Sequence, residues 1–351
     1  MKGKLTALVC AAIAASAAGS APGSAETAAD FFKGRQINFV VGYTPGGGYD
    51  TYTRLLANHI GKHIPGNPSA IVTNMPGGGS LKAANYIYNV APKDGTHLGV
   101  FSAPTAIEPL LGRDNAKFET LKFGWLGNMY ADVHGCATWH KSNIRTLDDV
   151  VKAKEPVVFG ATSASSYGNM HARVLQVMSG ANVKIVTGYR GITGVGKALQ
   201  QGEIAAACAM SVSTLKSSFR ALKDSGEFRM FVQFGKKPEP YFGSATHFYG
   251  TLKSDTDRKA ADFFFGQSAI ARPVAAPPGV PADRLAALRT AFLDALKDPA
   301  LLAEAEKIGI DITPESAKEV ETAFREMYET PPAVLARAIE IMGRSEKGAA
   351  K

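Results

Sequence analysis

Apolar and polar positions along the chain switch repeatedly between two periods. Ile37-Asn38-Phe39-Val40-Val41 is a short, largely apolar run closed by Gly42, as a buried strand requires. After Tyr43-Thr44-Pro45-Gly46-Gly47-Gly48-Tyr49-Asp50 the spacing becomes helical, with Leu55, Leu56, His59, Ile60 and Ile64 in register until Pro65-Gly66 stops it. The unit then recurs. Ala70-Ile71-Val72-Thr73 predicts a strand, Pro76-Gly77-Gly78-Gly79-Ser80 a turn, and residues 81–90 a helix; the two Pro-Gly-Gly-Gly turns start 31 residues apart, the length of one β-α unit. Residues 96–102 predict a third strand. Beyond Phe123-Gly124-Trp125-Leu126-Gly127 a second α/β series begins: strands at Val157-Val158-Phe159-Gly160, Val183-Lys184-Ile185-Val186 and 204–210, with helices at 169–178 and through Leu199. Pro273 to Pro281 reads as a connector, and the segments 282–296, 299–308 and 315–328 read as helices packing back on the first lobe. Strands alternating with helices predict an α/β protein built on parallel pairing.

The first residues change this picture at one end only. Lys2 and Lys4 precede an apolar stretch at 5–18, and small residues run to Gly23-Ser24-Ala25, the pattern of an export signal removed near residue 25. The stretch is too short and too rich in alanine for a membrane span. No twin arginine stands near the start, which favours general secretion, and Cys10 goes with the removed segment. Without Lys2 and Lys4 the chain carries 37 basic against 31 acidic side chains, a diffuse excess of +6. No basic block or basic–aromatic alternation suggests nucleic acid as a partner. Cys136 and Cys208 remain. In an oxidising compartment they can pair, and buried free thiols fit their apolar contexts equally well.

The glycine-rich turns carry the candidate chemistry. Glycine allows φ > 0 and close approach of a ligand to backbone. The helix that follows opens with unpaired N–H groups and the positive end of its dipole, which suits phosphate or carboxylate. Two such turns on adjacent parallel strands would lie at one sheet edge, where open α/β sheets bind ligands. Asp50 reads either as a cap complementing the dipole or as an acceptor for a ligand group.

Other motifs are weaker. Gly191-Ile192-Thr193-Gly194-Val195-Gly196-Lys197-Ala198 nearly spells a phosphate loop, but Ala198 stands where Ser or Thr would reach Mg²⁺. His59 and His63 share a helical face with no acid or cysteine nearby in sequence, so no metal site is expected. No Gly-x-Ser-x-Gly elbow is present, and no catalytic residue or cofactor is expected.

Val40-Val41-Gly42-Tyr43-Thr44-Pro45-Gly46-Gly47-Gly48-Tyr49-Asp50 with Arg54-Leu55-Leu56-Ala57 resembles the opening signature of the tripartite tricarboxylate transporter receptors, the Bug/TctC-type periplasmic solute-binding proteins. Asn74-Met75-Pro76-Gly77-Gly78-Gly79-Ser80 is similar to their second turn, and Ala91-Pro92-Lys93-Asp94-Gly95-Thr96 to the element before their third strand. Tyr189-Arg190-Gly191, Ala198-Leu199-Gln200-Gln201-Gly202-Glu203-Ile204 and Ala275-Ala276-Pro277-Pro278-Gly279-Val280-Pro281 continue the resemblance in order along the chain.

The resemblance implies a two-lobed periplasmic-binding-protein fold (type II-like), each lobe a mixed, mostly parallel sheet flanked by helices. Lobe 1 would comprise 26–128 plus 266–351 and lobe 2 residues 129–265. It implies a monomeric receptor that holds a di-, tri- or aromatic carboxylate in the cleft and delivers it to a membrane permease pair. It also implies a ligand set: Tyr43, Gly46, Gly47, Gly48, Tyr49 and Asp50 from the first turn; Gly78, Gly79 and Ser80 from the second; Ser102 from the third strand; and Ser165, Ser166, Tyr167, Tyr189 and Gly191 from the second lobe.

The chain departs from the family pattern at Tyr49, which replaces a threonine, and in Ala161-Thr162-Ser163-Ala164-Ser165-Ser166-Tyr167-Gly168-Asn169, which has fewer glycines and a new tyrosine. Tyr49 and Tyr167 read either as stacking partners for a flat acid or as packing. Two other functions fit the same cleft: an exported hydrolase or transferase, which needs an activated nucleophile, and a sensor presenting its bound ligand to a signalling partner.

Overall fold

The computed structural model describes residues 26–343. The expected export signal, residues 1–25, lies outside the described residues. Twelve strands form two six-stranded mixed sheets. The first has the order β12-β4-β11-β3-β1-β2, from β1 (Gln36–Val41), β2 (Ser69–Asn74), β3 (His97–Val100), β4 (Gly124–Asn128), β11 (Pro273–Ala276) and β12 (Glu315–Ser316). The second has the order β10-β9-β5-β8-β6-β7, from β5 (His134–Trp139), β6 (Val157–Ala161), β7 (Val183–Thr187), β8 (Ala206–Ser211), β9 (Phe228–Phe234) and β10 (Thr246–His247).

Each sheet has the same parallel kernel. β2 and β3 flank β1, and β7 and β8 flank β6, all in parallel. The helical crossovers between these strands put every strand-to-helix turn of a kernel at one edge. β11 pairs antiparallel with β3 and β4, and β5 pairs antiparallel with β8 and β9. These ladders lie beside the two places where the chain crosses between sheets, residues 129–133 and 271–272. The segment read as a connector is therefore partly a strand: Pro273–Ala276 is buried between β3 and β4. Four apolar residues next to proline give too short a pattern to reveal a strand buried on both sides.

The C-terminal helices divide between the lobes. Helix Ala317–Tyr328 covers β4, where Phe324 packs on the buried Trp125 with ring centroids 4.6 Å apart. Helices Ala282–Ala295 and Pro299–Ile308 pack on helix Gly48–Ile60. There His59 meets Glu304 at 2.7 Å and His63 meets Asp298 at 2.8 Å. The acidic partners absent from the local sequence arrive from more than two hundred residues away, and the histidines brace two helices. Among the described residues no cluster of ligating side chains suits a metal ion. Helix Pro332–Ile341 departs from the expected packing on the first lobe: it sits against helices Asp255–Gly266 and Tyr167–Ser179.

In the second lobe Cys136 and Cys208 are bonded, S–S 1.96 Å, across neighbouring antiparallel strands β5 and β8. The pairing that the sequence left open follows from that adjacency. No helix of the described residues is long and apolar enough to cross a membrane.

Candidate functional site

The turns at the ends of β1, β6, β7 and β8 face one another across a narrow cleft of about 70 Å³. Three of the helices that start here are long. Gly48–Ile60 opens after Gly47, Tyr167–Ser179 is capped by Ser166 Oγ accepting from Asn169 N, and Gly191–Gln201 follows Arg190. Their opening N–H groups and dipole ends converge on the same space, an arrangement that favours an anion.

Gly48 makes the closest approach. A Cβ there would stand 2.8 Å from Arg272 Nη2 and 3.3 Å from both Ser213 Oγ and Thr214 Oγ1, so only glycine lets helix Gly48–Ile60 start against the opposite lobe.

Arg272 is the residue that motif reasoning missed. It sits on the second crossover, is 2% exposed and lines the cleft. Its Nη2 donates to Asp132 Oδ2 and Ser213 Oγ, both at 2.7 Å, and Nη1 donates to the Ala271 carbonyl at 2.9 Å. Asp132 lies on the first crossover and also accepts from Ser213 Oγ and Ser213 N. Burial acts against the guanidinium charge, but Asp132 and the surrounding tyrosines hold its pKa above the ordinary value, so it is charged. The Tyr49 ring lies 4.4 Å from Arg272 Cζ, and Tyr43 stacks on the other side with ring centroids 4.4 Å apart. One signal was available in the sequence: a lone arginine within Ala269-Ile270-Ala271-Arg272-Pro273-Val274. Buried charges are rare and need partners.

His134, at the start of β5, forms part of the cleft wall and stacks on Tyr167 with ring centroids 4.1 Å apart. Burial, aided by the Arg272 charge, pushes its imidazole down to about 3, so it is neutral near pH 7. Arg272 Nε, Tyr49 OH and His134 Nδ1 are buried polar atoms with no hydrogen-bond partner among the described residues. Three such atoms on residues of one cleft form an unsatisfied polar set.

The sequence-predicted residues divide. Tyr43, Gly47, Gly48 and Tyr49 line the cleft from the first lobe, and Ser166, Tyr167 and Gly191 from the second. Tyr167 also donates from its hydroxyl to the Gln267 carbonyl at 3.1 Å. Gly46 and Asp50 stand behind the turn. Asp50 accepts from Gly46 N, Arg54 Nε and Asn74 Nδ2; burial alone would raise its pKa, but these bonds hold it below the ordinary carboxylate range. Its groups brace the turn to the helix and to β2.

The second turn lies outside the lining. The Gly79 carbonyl accepts from Thr105 Oγ1 at 2.7 Å and Tyr43 OH at 3.0 Å, while Ser80 and Ser102 join Thr105 in a buried hydroxyl cluster. The turn meets the loop of the opposite lobe: a Cβ at Gly79 would collide with Ser163 Oγ and stand 3.2 Å from Ser166 N. Ser165 is buried beside it, its hydroxyl without a partner among the described residues. Tyr189 turns its hydroxyl to Glu203 at 2.6 Å, outside the cleft lining. A further interlobe bond runs from Ser218 Oγ to the Gly46 carbonyl at 2.8 Å.

Comparison with known proteins places this fold. No protein-family model matches the chain. A curated relative, the "UPF0065 protein in gbd 5'region" of Cupriavidus necator, is 26% identical over 224 residues, which are 62% of this chain and 65% of that protein's length. Among solved structures, the periplasmic binding protein BugD superposes with a TM-score of 0.70 at 16% identity, over 88% of this chain and 98% of its own. A Rhodopseudomonas palustris protein solved with adipate gives 0.69 at 17% identity, over 87% and 97%. MatC from Rhodopseudomonas palustris, with bound malate, gives 0.67 at 16% identity, over 88% and 99%. The chain shares the two-lobed fold of the periplasmic binding protein BugD, as the sequence motifs implied.

Proposed function

We propose that this protein is a periplasmic receptor that captures a small organic carboxylate between its lobes and delivers it to a permease pair of the tripartite tricarboxylate type. The observation that carries the reading is the meeting of three helix N-termini and one buried arginine at a single cleft. The helix dipole ends and the one charged side chain of the lining, Arg272, favour an anion. The malate and adipate bound to two of the structural neighbours belong to the same chemical class. Export through the segment at residues 1–25 and action as a monomer belong to the same proposal.

Binding rather than turnover is favoured by what the cleft hydroxyls do. Ser166 caps a helix, and Ser211 Oγ bonds with Thr214 Oγ1 at 2.9 Å. Neither hydroxyl bonds to the His134 ring, although Ser211 stands opposite it in the β5/β8 ladder, so among the described residues neither serine is paired with that base.

A thermal-shift screen tests the function. Mono-, di-, tri- and aromatic carboxylates are set beside sugars and amines of similar size. A ligand at a hundredfold excess over its Kd adds about 2.7 kcal/mol to stability. Stabilisation by acids alone is the expected result; stabilisation by sugars or amines, with none by acids, would reject the reading.

A further inference from the structure

The cleft holds more information than its preference for an anion. Among the described residues that line it, Arg272 is the only one with a formal charge, and Asp132 already balances that charge at 2.7 Å. His134 is neutral. The remaining wall is largely apolar, with Ala161, Ile192, Val195 and Ala209 beside the rings of Tyr49 and Tyr167 in its lining. One carboxylate entering this space finds the Arg272 Nε–H and the Tyr49 hydroxyl, both buried donors without a partner, together with the helix N-termini. A second or third carboxylate finds no cation to offset its desolvation.

We propose that Arg272 is the charge anchor of the ligand, and that the cleft selects a monocarboxylate with a flat or compact apolar body over di- and tricarboxylates. This rests on the cleft being a carboxylate site and narrows the acid it takes. The carboxylate accepts from Arg272 Nε and Tyr49 OH, and the apolar body lies against the tyrosine rings. The same arginine, at 2% exposure on the interlobe crossover, contacts Ser213 of the second lobe and the Tyr49 ring of the first. Ligand charge and lobe approach therefore meet at one side chain.

The test is calorimetric titration of the full chain with benzoate, phenylacetate and 4-hydroxybenzoate, with benzamide as the uncharged isostere of benzoate, and with succinate, malate and citrate. Arg272→Gln alone would leave Asp132 buried without its partner and risks the fold. The variant of choice therefore combines Arg272→Gln with Asp132→Asn, and its melting curve reports whether it is folded.

The expected result is that a monocarboxylate binds tightest and its amide about 10- to 100-fold more weakly, the worth of a charged hydrogen bond. The double variant should lose that discrimination while remaining folded. An unchanged acid-to-amide ratio in the folded double variant would overturn Arg272 as the anchor. Tighter binding of succinate, malate or citrate would overturn the monocarboxylate selection and leave the receptor reading standing. Binding of no acid at all would overturn both. If the double variant does not fold, Tyr49→Phe takes its place, removing one donor from the same carboxylate and leaving the ring; an acid-to-amide ratio unchanged in that variant overturns the arrangement.

Discussion

The two Pro-Gly-Gly-Gly turns are close copies in sequence and opposites in structure. At Pro45-Gly46-Gly47-Gly48 the helix begins at once: Gly47 is its extended N-cap, with φ −93°, and Gly48 is its first residue, facing Arg272. At Pro76-Gly77-Gly78-Gly79 the chain makes a tight turn through φ values of 148°, 58° and 71°, and Ser80 itself is left-handed at 86°. The carbonyl of Gly79 is then consumed by neighbouring hydroxyls, and its Cα faces the loop of the other lobe. The first turn offers N–H groups to the cleft, whereas the second offers a surface to the opposite lobe. A repeated motif thus yields one turn that lines the cleft and one that docks on the opposite loop. What separates them is the partner each meets, Arg272 in one case and the Ser163–Ser166 loop in the other.

The sharpest way to break this contrast is Gly48→Val. Its Cβ would be driven into Arg272 and the start of helix Val212–Ser217, so carboxylate affinity should fall at least about 100-fold, roughly 2.7 kcal/mol. Retained affinity, measured by titration on a protein with a wild-type melting curve, would remove the first turn from the site.

Gly79→Ala tests the other half. It combines a left-handed backbone at φ 71° with a collision at Ser163, and should cost about 1–3 kcal/mol of lobe docking. Small-angle scattering should then report a larger radius of gyration in the presence of ligand. Weaker binding without expansion would place the second turn in ligand contact instead.

The buried histidines of the second lobe give a pH signature of similar size. Burial holds His134 down to about 3, and burial and the neighbouring His134 hold His171 well below its ordinary value. Both stay neutral in the fold and take up a proton in the unfolded chain once the pH drops below about 6.5. Their contribution to stability is therefore complete above that pH and is lost as pH falls, by about 1.4 kcal/mol per pH unit for each histidine. His171 stacks on Phe234 at 4.3 Å, with neither ring nitrogen partnered among the described residues, so His171→Phe should flatten this slope in chemical denaturation between pH 6 and 4. An unaltered slope would mean that the ring is protonated in the fold.

The smallest effect is expected at Gly47→Ala. A Cβ there meets only Ile192 Cγ2, at 3.6 Å, and φ −93° suits any residue. Affinity should stay within about twofold of wild type, under 0.5 kcal/mol. A loss like that of Gly48→Val would show that ligand fills the space beside Gly47.

Much of the parallel kernel was legible because β1 and β7 run straight into a glycine and the helices that follow restart the apolar period. The antiparallel strands were less so. β5 and β11 gain their neighbours only after the chain crosses between sheets, and no local period records that. The disulfide was hidden for the same reason, since Cys136 and Cys208 become neighbours through the β5/β8 ladder. The first turn's place in the cleft was readable from motif chemistry. The second turn's fate depended on a serine-rich loop some ninety residues later in the chain, and Arg272 on a crossover that carries no motif.

The central claim is that ligand charge is held at the first turn and Arg272 rather than at the second turn. A crystal structure grown with the tightest-binding acid tests it most directly. Carboxylate oxygens should lie about 3 Å from Arg272 Nε and Tyr49 OH, beside the N–H groups that open helix Gly48–Ile60. A carboxylate seated on Gly78–Ser80, with Arg272 untouched, would contradict it.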